Sequence, residues 1–418
     1  MNKYNLVVAG GGLAGVAAAV SGARQGLSVL LVEKSGWLGG AMSNCLVYPF
    51  MPYWTTKNGE KKYLSQGIFA EMLERQKKYD DIKSDIYYSP EYFKLILDDM
   101  VEESGVETLF HTTLFKVSTK EKKILSVSLA VKSGVLEVEA DYFVDATGDG
   151  DLFAFAGCDF QLGRERDNLC QPMTTCFRMD KVDEELFDRE IEQIQELYKE
   201  YQQRGELLNP RENILYFKNL GQGIIHFNTT RVVKHDPTNP FDVSRAEMLA
   251  RKQIFELVDF LKKNSRAFEN STVISVAADI GVRESRKLKG EHILTAEELK
   301  NCTVFEDSIM LGNYEIDIHN PEGTGTNLYY FKSGEYYTVP YRCLVPKEYD
   351  NLLVAGRCIS ATHEAQASIR IIPFCACMGQ AAGLAVSIAH RNNCSVKMID
   401  TTELQQLISK NGGVCQAF

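Results

Sequence analysis

Gly10, Gly12 and Gly15 are spaced as G-x-G-x-x-G between an apolar run, Leu6 to Ala9, and a small-residue run, Val16 to Val20. A strand entering such glycines can turn tightly at Gly10, bring backbone close to a phosphate at Gly12, and pack a helix on the strand at Gly15. The run Val16 to Val20 reads as a helix whose N-terminus, with Leu13 and Ala14 leading into it, would aim unpaired N–H groups and a positive dipole end at that phosphate. A second apolar run, Ser28 to Val32, ends on Glu33, 18 residues beyond Gly15. An acid there can accept the hydroxyls of an adenosine ribose. A secretory signal would share the apolar residues 6–20, but it leaves the second strand and Glu33 unexplained and has only Lys3 ahead of it.

A matching segment lies over three hundred residues later: Asn351-Leu352-Leu353-Val354-Ala355-Gly356-Arg357. A nicotinamide domain has no use for that distant return, whereas a flavin site does. Lys34 and the pair Gly39-Gly40 follow the second strand, and a further strand ends on Ala146-Thr147-Gly148-Asp149. These add to the candidate cofactor residues, as do Gly379, Gln380 and Ala381 near the far end.

Side chains able to handle a substrate are His363, Arg370, Arg283, Arg286, His319 and Arg342. A histidine beside a flavin could move a substrate proton while hydride passes to or from the ring. His363 reads equally as a satisfied loop histidine. Arg370 could fork onto a substrate carboxylate or pair with an internal acid. Arg283 and Arg286 would share a face if that stretch is helical, and otherwise read as structural ion pairs. Cys45 could approach the flavin or be a buried, inert thiol.

The chain has 418 residues, enough for two domains, with 44% apolar and 24% charged residues. A net charge of −10 argues against non-specific nucleic-acid binding. No apolar run reads as long enough to span a bilayer. The 11 cysteines include no C-x-x-C, so neither a zinc knuckle, a metal cluster nor a disulfide redox pair is expected. Reduced thiols in a cytoplasmic protein with a small-molecule substrate fit better. Gly221-Gln222-Gly223 and Gly323-Thr324-Gly325 lack the third glycine, so no second dinucleotide domain is expected.

The positioning elements follow from periodicity. Helices are predicted over residues 66–78, 89–104, 184–204, 243–263, 378–390 and 401–409. Residues 106–110 read as a third parallel strand. Residues 114–119, 124–131 and 135–138 read as a β-meander, followed by a separate strand at 142–145. Residues 49–62 and 359–373 read as loops. The fold class is α/β: a Rossmann-like domain of parallel sheet plus β-meander, with an inserted α+β domain. The cofactor domain takes residues 1–50, 86–160 and 341–395. A substrate cap takes 51–85 and 161–340, and a helical tail takes 396–418.

The chain resembles the bacterial FAD-dependent oxidoreductases of the glutathione-reductase-like flavoprotein superfamily. The likeness rests on Val8-Ala9-Gly10-Gly11-Gly12-Leu13-Ala14-Gly15, Phe143 to Asp151, Gly281 to Arg286, Pro340-Tyr341-Arg342, Asn351 to His363, Ser368 to Pro373 and Met378 to Gly383. More distantly, the cofactor domain is similar to that of succinate dehydrogenase and fumarate reductase flavoproteins, without their His-Thr attachment pattern near Gly39-Gly40. The resemblance implies non-covalent FAD, with the C-terminal glycine strand at the pyrophosphate or ribityl chain and the last helix aimed at the isoalloxazine. It implies hydride transfer to or from flavin N5 on a small polar, anionic or polyhydroxy substrate. A flavin monooxygenase or hydroxylase, and an electron-transfer subunit without its own substrate site, are the alternatives. The purified protein is expected to be yellow and to release FAD on heat or acid treatment; a colourless protein that FAD cannot reconstitute would contradict this.

Overall fold

The structure is a computed structural model that describes residues 3–79 and 84–416. Its main sheet has seven strands, ordered Glu107–Leu109, Val29–Val32, Lys3–Ala9, Gly134–Asp145, Lys123–Val131 and Thr113–Lys120, with Leu352–Val354 also paired to Gly134–Asp145. The first strands are continuous apolar runs because helices and meander cover both faces. Ala9 lies beside Val32 and Asp145, and Asp145 beside Val354. That register brings the loops beginning at Gly10, Glu33, Ala146 and Ala355 to one sheet edge, the carboxyl edge where open α/β sheets bind ligands.

The meander differs from expectation in one respect. Residues 135–138 and 142–145 are one strand of 12 residues, Gly134–Asp145. Its first half pairs antiparallel with Lys123–Val131, and its second half parallel with Lys3–Ala9 and Leu352–Val354. Asp141, a weak strand former in the middle, hid this continuity. At the strand's end, buried Asp145 accepts bonds from Thr147 N and Oγ1 and from Phe153 N. One carboxylate thereby shapes the Ala-Thr-Gly turn and ties down the helix Asp151–Ala156.

The helices Leu13–Arg24 and Ile372–Arg391 pack backbone against backbone. A Cβ on Gly379 would stand 2.0 Å from Ala14 O, and one on Gly383 would stand 2.2 Å from Ala18 O. Small residues four apart on each helix therefore let two backbones touch. The second helix begins at Ile372, not at Met378. Pro373 sits in its first turn, where its missing N–H costs nothing. The preceding stretch, expected to be loop, contains the helix His363–Ile369, capped by Thr362. By length and composition Ile372–Arg391 could cross a bilayer, but 89% of its apolar window is buried in the protein core.

The cap is a four-stranded sheet, ordered Tyr216–Phe217, Ile225–Phe227, Phe177–Asp180 and Thr272–Val276. One face carries Phe177, Met179 and Phe227 into a core shared with the helices Glu184–Gln203 and Pro240–Asn264. Within the expected cap range, Ile309, Met310, Tyr337 and Val339 instead belong to the large core of the main sheet, as do Ile68, Phe69 and Met72. Part of the stretch 49–62, expected as loop, forms a hairpin of Trp54–Lys57 with Glu60–Tyr63.

Gly379→Ala is predicted to destabilise the protein by about 1–3 kcal/mol, because the added methyl meets backbone that cannot swing aside. Gly323→Ala, whose Cβ meets nothing within 4 Å, is the control. Thermal melting checks the pair, and equal melting temperatures would refute the contact's importance.

Candidate active site

One cleft opens at the carboxyl edge of the sheet. Gly10, Gly12, Leu13 and Ala14 line it from the N-terminal turn; Glu33, Lys34, Gly39 and Gly40 from the second strand's loop; Ala146, Gly148 and Asp149 from the third; and Gly356 and Arg357 from the last. Residues at both chain ends and in the middle thus meet, as the sequence predicted. Leu13–Arg24 has Gly12 at its N-cap and Ile372–Arg391 has Ile371, and neither helix has a side-chain cap. Both therefore begin in the cleft with donors free for a ligand.

Gly12 shows what the cleft accommodates. A Cβ added there meets no protein atom within 4 Å. The need for glycine is therefore not internal to the chain, and the open space is where a phosphate would approach. The glycines beside it are sterically obligatory instead: Gly15 would place a Cβ 1.7 Å from Gly10 O. Glu33 Oε2 accepts from Gly11 N at 2.7 Å and Oε1 from Ser35 N at 2.8 Å. Each oxygen keeps a lone pair for a ribose hydroxyl. Arg357 reaches Asp149 at 3.2 Å, while its buried Nη1 has no partner. Burial pushes Asp149 up, but Arg357, Ser285 and Lys34 together hold it below the usual carboxylate range.

Four expected cofactor residues lie outside this cleft. Gly379 and Ala381 are buried in the second and third turns of their helix, and Gly379 packs on Ala14. Gln380 accepts from Ile68 N and donates to Asn411 O. The helix starts at Ile372, six residues before the expected Met378, so Ile372 and Cys375 line the cleft instead. Gly15 also packs inside, as its steric role requires. Cys45 lines the cleft beside Ile280 O, and burial, with Asp279, pushes its thiol up to about 12. That is the inert thiol, not a nucleophile.

The expected catalytic residues separate into two groups. Arg370 lines the cleft and donates to Asp317 Oδ2 at 3.2 Å, with its Nε buried and unpartnered. His319 lies behind it: Nε2 is 3.2 Å from Asp317 Oδ2, and Nδ1 is 3.0 Å from Arg231 Nη2. Arginine only donates, so Nδ1 accepts and Nε2–H faces Asp317. Burial, aided by Arg283, pulls His319 down to about 3. Asp317 stays well below the usual range despite burial, because His319, Arg370 and Arg283 surround it. Arg283 donates to Pro172 O and Thr174 Oγ1. Burial, then Arg370, Arg211 and Arg231, lower it to about 9.

The others are elsewhere. His363 Nδ1 is 2.7 Å from Glu284 Oε2, a buried acid also bound to Lys287. His363 lines a different cleft of about 650 Å³, beside Arg164 and Arg166. Both of those arginines are neutralised by Asp167 and Glu322. Arg286 pairs with Asp151 and with Asp149 O. The stretch is not helical: Arg286 opens the strand Arg286–Leu288, so it diverges from Arg283. Arg342 pairs with Asp307 at the surface. Sequence reasoning missed Arg211, Arg231 and Asp317. Only Asp317, two residues before His319, carried a local signal.

The family model described as FAD dependent oxidoreductase matches residues 5–408. The chain belongs to that family. Among solved structures, it is similar to a geranylgeranyl bacteriochlorophyll reductase-like protein from Thermoplasma acidophilum, with 13% identity, a TM-score of 0.47, and coverage of 99% of this chain and 84% of that one. It is also similar to p-nitrophenol 4-monooxygenase from Pseudomonas putida DLL-E4, with 11% identity, a TM-score of 0.45, and coverage of 99% and 84%.

FAD is the cofactor of this oxidoreductase, and the cleft residues fit it. Two uncapped helix starts, the open space at Gly12 and the orphaned Arg357 Nη1 all suit a bridging diphosphate. Gly12→Ala tests this directly. It is predicted to leave the melting of the apoprotein unchanged while weakening FAD binding at least roughly tenfold, about 1.4 kcal/mol. Titration of apoprotein with FAD measures it, and unchanged affinity would remove the phosphate from Gly12.

Proposed function

We propose that this oxidoreductase transfers hydride between flavin N5 and a small carboxylate-bearing substrate held by Arg370 and Arg283. The observation that carries this reading is the position of Arg370. It faces the cofactor cleft, yet belongs through Asp317 to a buried arginine cluster. A substrate carboxylate there would lie next to the flavin and satisfy donors that the protein leaves partly unused.

Bound FAD supplies the hydride acceptor or donor. The chain supplies binding and orientation. Asp317 fixes the Arg370 fork, and neutral His319 fixes Asp317, itself held by Arg231. With both ring nitrogens engaged, His319 acts as an orienting group, not as acid or base. His363, locked to Glu284, positions the segment that leads to Arg370. Ile280 and Val282 give the cleft two apolar lining residues beside Arg283.

Arg370→Lys keeps the charge but removes the planar fork. It is predicted to retain FAD while substrate-driven bleaching of the flavin slows about ten- to hundredfold, from the loss of charge-assisted bonds worth about 1.5–3 kcal/mol. A screen of carboxylic acids against the yellow protein identifies the substrate, and stopped-flow absorbance compares the variant. Bleaching at an unchanged rate would move the substrate away from Arg370. Formation of an oxygen adduct on the reduced protein with an uncharged aromatic would favour the hydroxylase alternative.

A further inference from the structure

The chain that leaves the cap sheet forms one wall of the cofactor cleft. Thr272–Val276 is an edge strand of that sheet, and Asp279, Ile280 and Val282 beyond it all line the cleft. The backbone of this segment is fixed on both sides. Asp279 N donates to Asn44 O at 3.2 Å, and Cys45 Sγ donates to Ile280 O at 3.6 Å. From the cap, Glu247 accepts from Ile280 N at 2.6 Å, and Gly281 pairs with Thr174. A Cβ on Gly281 would stand 3.0 Å from Thr174 O and 3.6 Å from Cys45 Cβ, so the segment is held between cap and cofactor domain.

The Asp279 carboxylate is left over from this packing. It makes no hydrogen bond or ion pair among the described residues. The other two carboxylates of the cleft are engaged: Glu33 by Gly11 N and Ser35 N, and Asp149 by Ser285 Oγ and Arg357. The cations of the cleft do not claim Asp279 either. Arg357 holds Asp149 and Arg370 holds Asp317, while Lys34 lies near enough to feel Asp279 without an ion pair. Among the described residues, Asp279 is thus the cleft carboxylate with every acceptor site free.

That position is unfavourable by charge alone, because FAD carries a diphosphate and a nearby carboxylate repels it. Hydroxyl donors offset such a cost, and a hydrogen bond to an ionised acceptor is roughly twice as strong as a neutral one. FAD brings two sets of hydroxyls, on the adenosine ribose and on the ribityl chain. The packing leads from Asp279 towards both. Asn44, whose O receives Asp279 N, donates through Nδ2 to Ser35 Oγ, and Ser35 N donates to Glu33, the acid placed for the ribose. In the other direction the segment runs through Ile280 and Val282 to Arg283.

We infer that Asp279 accepts hydrogen bonds from sugar hydroxyls of FAD, so that the cofactor ties the cap to the cofactor domain. This rests on FAD occupying the cleft and adds a contact made from the cap. Asp279 lies outside the glycine motifs, and only the folded chain brings it to the cofactor. Its side chain has no protein partner, so a substitution removes the ligand contact and leaves the packing around it in place.

Equilibrium dialysis of the FAD-loaded protein measures the FAD affinity without turnover, and dialysis against ADP or FMN measures theirs by competition. Asp279→Ala should weaken FAD about ten- to hundredfold, and Asp279→Asn by less, because its amide oxygen still accepts without the charge. Unchanged far-ultraviolet circular dichroism qualifies each variant as folded. ADP carries only the ribose and FMN only the ribityl chain. Weaker ADP binding by Asp279→Ala names the ribose as the source of the hydroxyls, and weaker FMN binding names the ribityl chain. Unchanged FAD affinity would overturn the inference. So would tighter binding, the result expected if Asp279 only repels the diphosphate, or a loss of FAD affinity with ADP and FMN both unaffected. If Gly12→Ala weakens FAD while Asp279→Ala does not, the cleft stands and only this contact falls. Unchanged FAD affinity in both variants would remove FAD from the cleft altogether.

Discussion

Everything at the active site depends on two helices being able to touch backbone to backbone. Leu13–Arg24 opens at the first cofactor turn and Ile372–Arg391 at the last. Both must start in one cleft for a single ligand to use both N-termini. Gly379 against Ala14 and Gly383 against Ala18 allow that approach, because any side chain would force the axes apart. The contact joins the two ends of the chain and thereby assembles a site from residues more than three hundred positions apart. A shift of that pair would move Ala14 and Ile372 together, and both line the cleft.

The second organising constraint is the treatment of buried charge. Around the cofactor the ions are matched: Arg357 with Asp149, Lys287 with Glu284, Arg286 with Asp151. These pairs hold loops and leave little for a ligand except Arg357 Nη1. Under the cap Arg231 pairs with Glu212 and Arg370 with Asp317, while Arg283 bonds only to Pro172 O and Thr174 Oγ1 among the described residues. Arg283 is lowered to about 9 by burial and then by Arg370, Arg211 and Arg231, and Arg231 to about 10 by burial and then by Arg211. Repulsion of that kind is a standing cost to the folded protein, and a bound anion would relieve it. On the function proposed above, the matched ions hold the architecture and Arg283 is left for the substrate.

Much of this was legible in the sequence, for physical reasons. The strand–glycine–helix pattern and the distant glycine return demand a particular backbone, and Gly10, Gly12, Glu33 and Gly356 lie where that demand puts them. Gly379 was misread because a small residue near a helix start looks the same whether it admits a phosphate or another helix. His363 and Arg286 read in the sequence either as substrate-handling or as structural residues, because a local segment does not show its partner. Glu284 and Asp151, which hold them outside the flavin cleft, are brought there only by tertiary packing. Arg211 and Arg231 carried no signal at all. They sit in a cap segment without a motif, and only tertiary packing brings them beside Asp317 and Glu212.

The central claim is that FAD binds between the two chain ends with Arg370 at the boundary between flavin and substrate. A crystal structure of the yellow, FAD-loaded protein tests it most directly. The account predicts the diphosphate against Gly12 and Leu13, the isoalloxazine at the end formed by Arg370, Ile372 and Cys375, and the Arg370 fork open towards the cap. Flavin lodged instead in the cleft beside Arg164 and His363, or an Arg370 turned away from the ring, would contradict it.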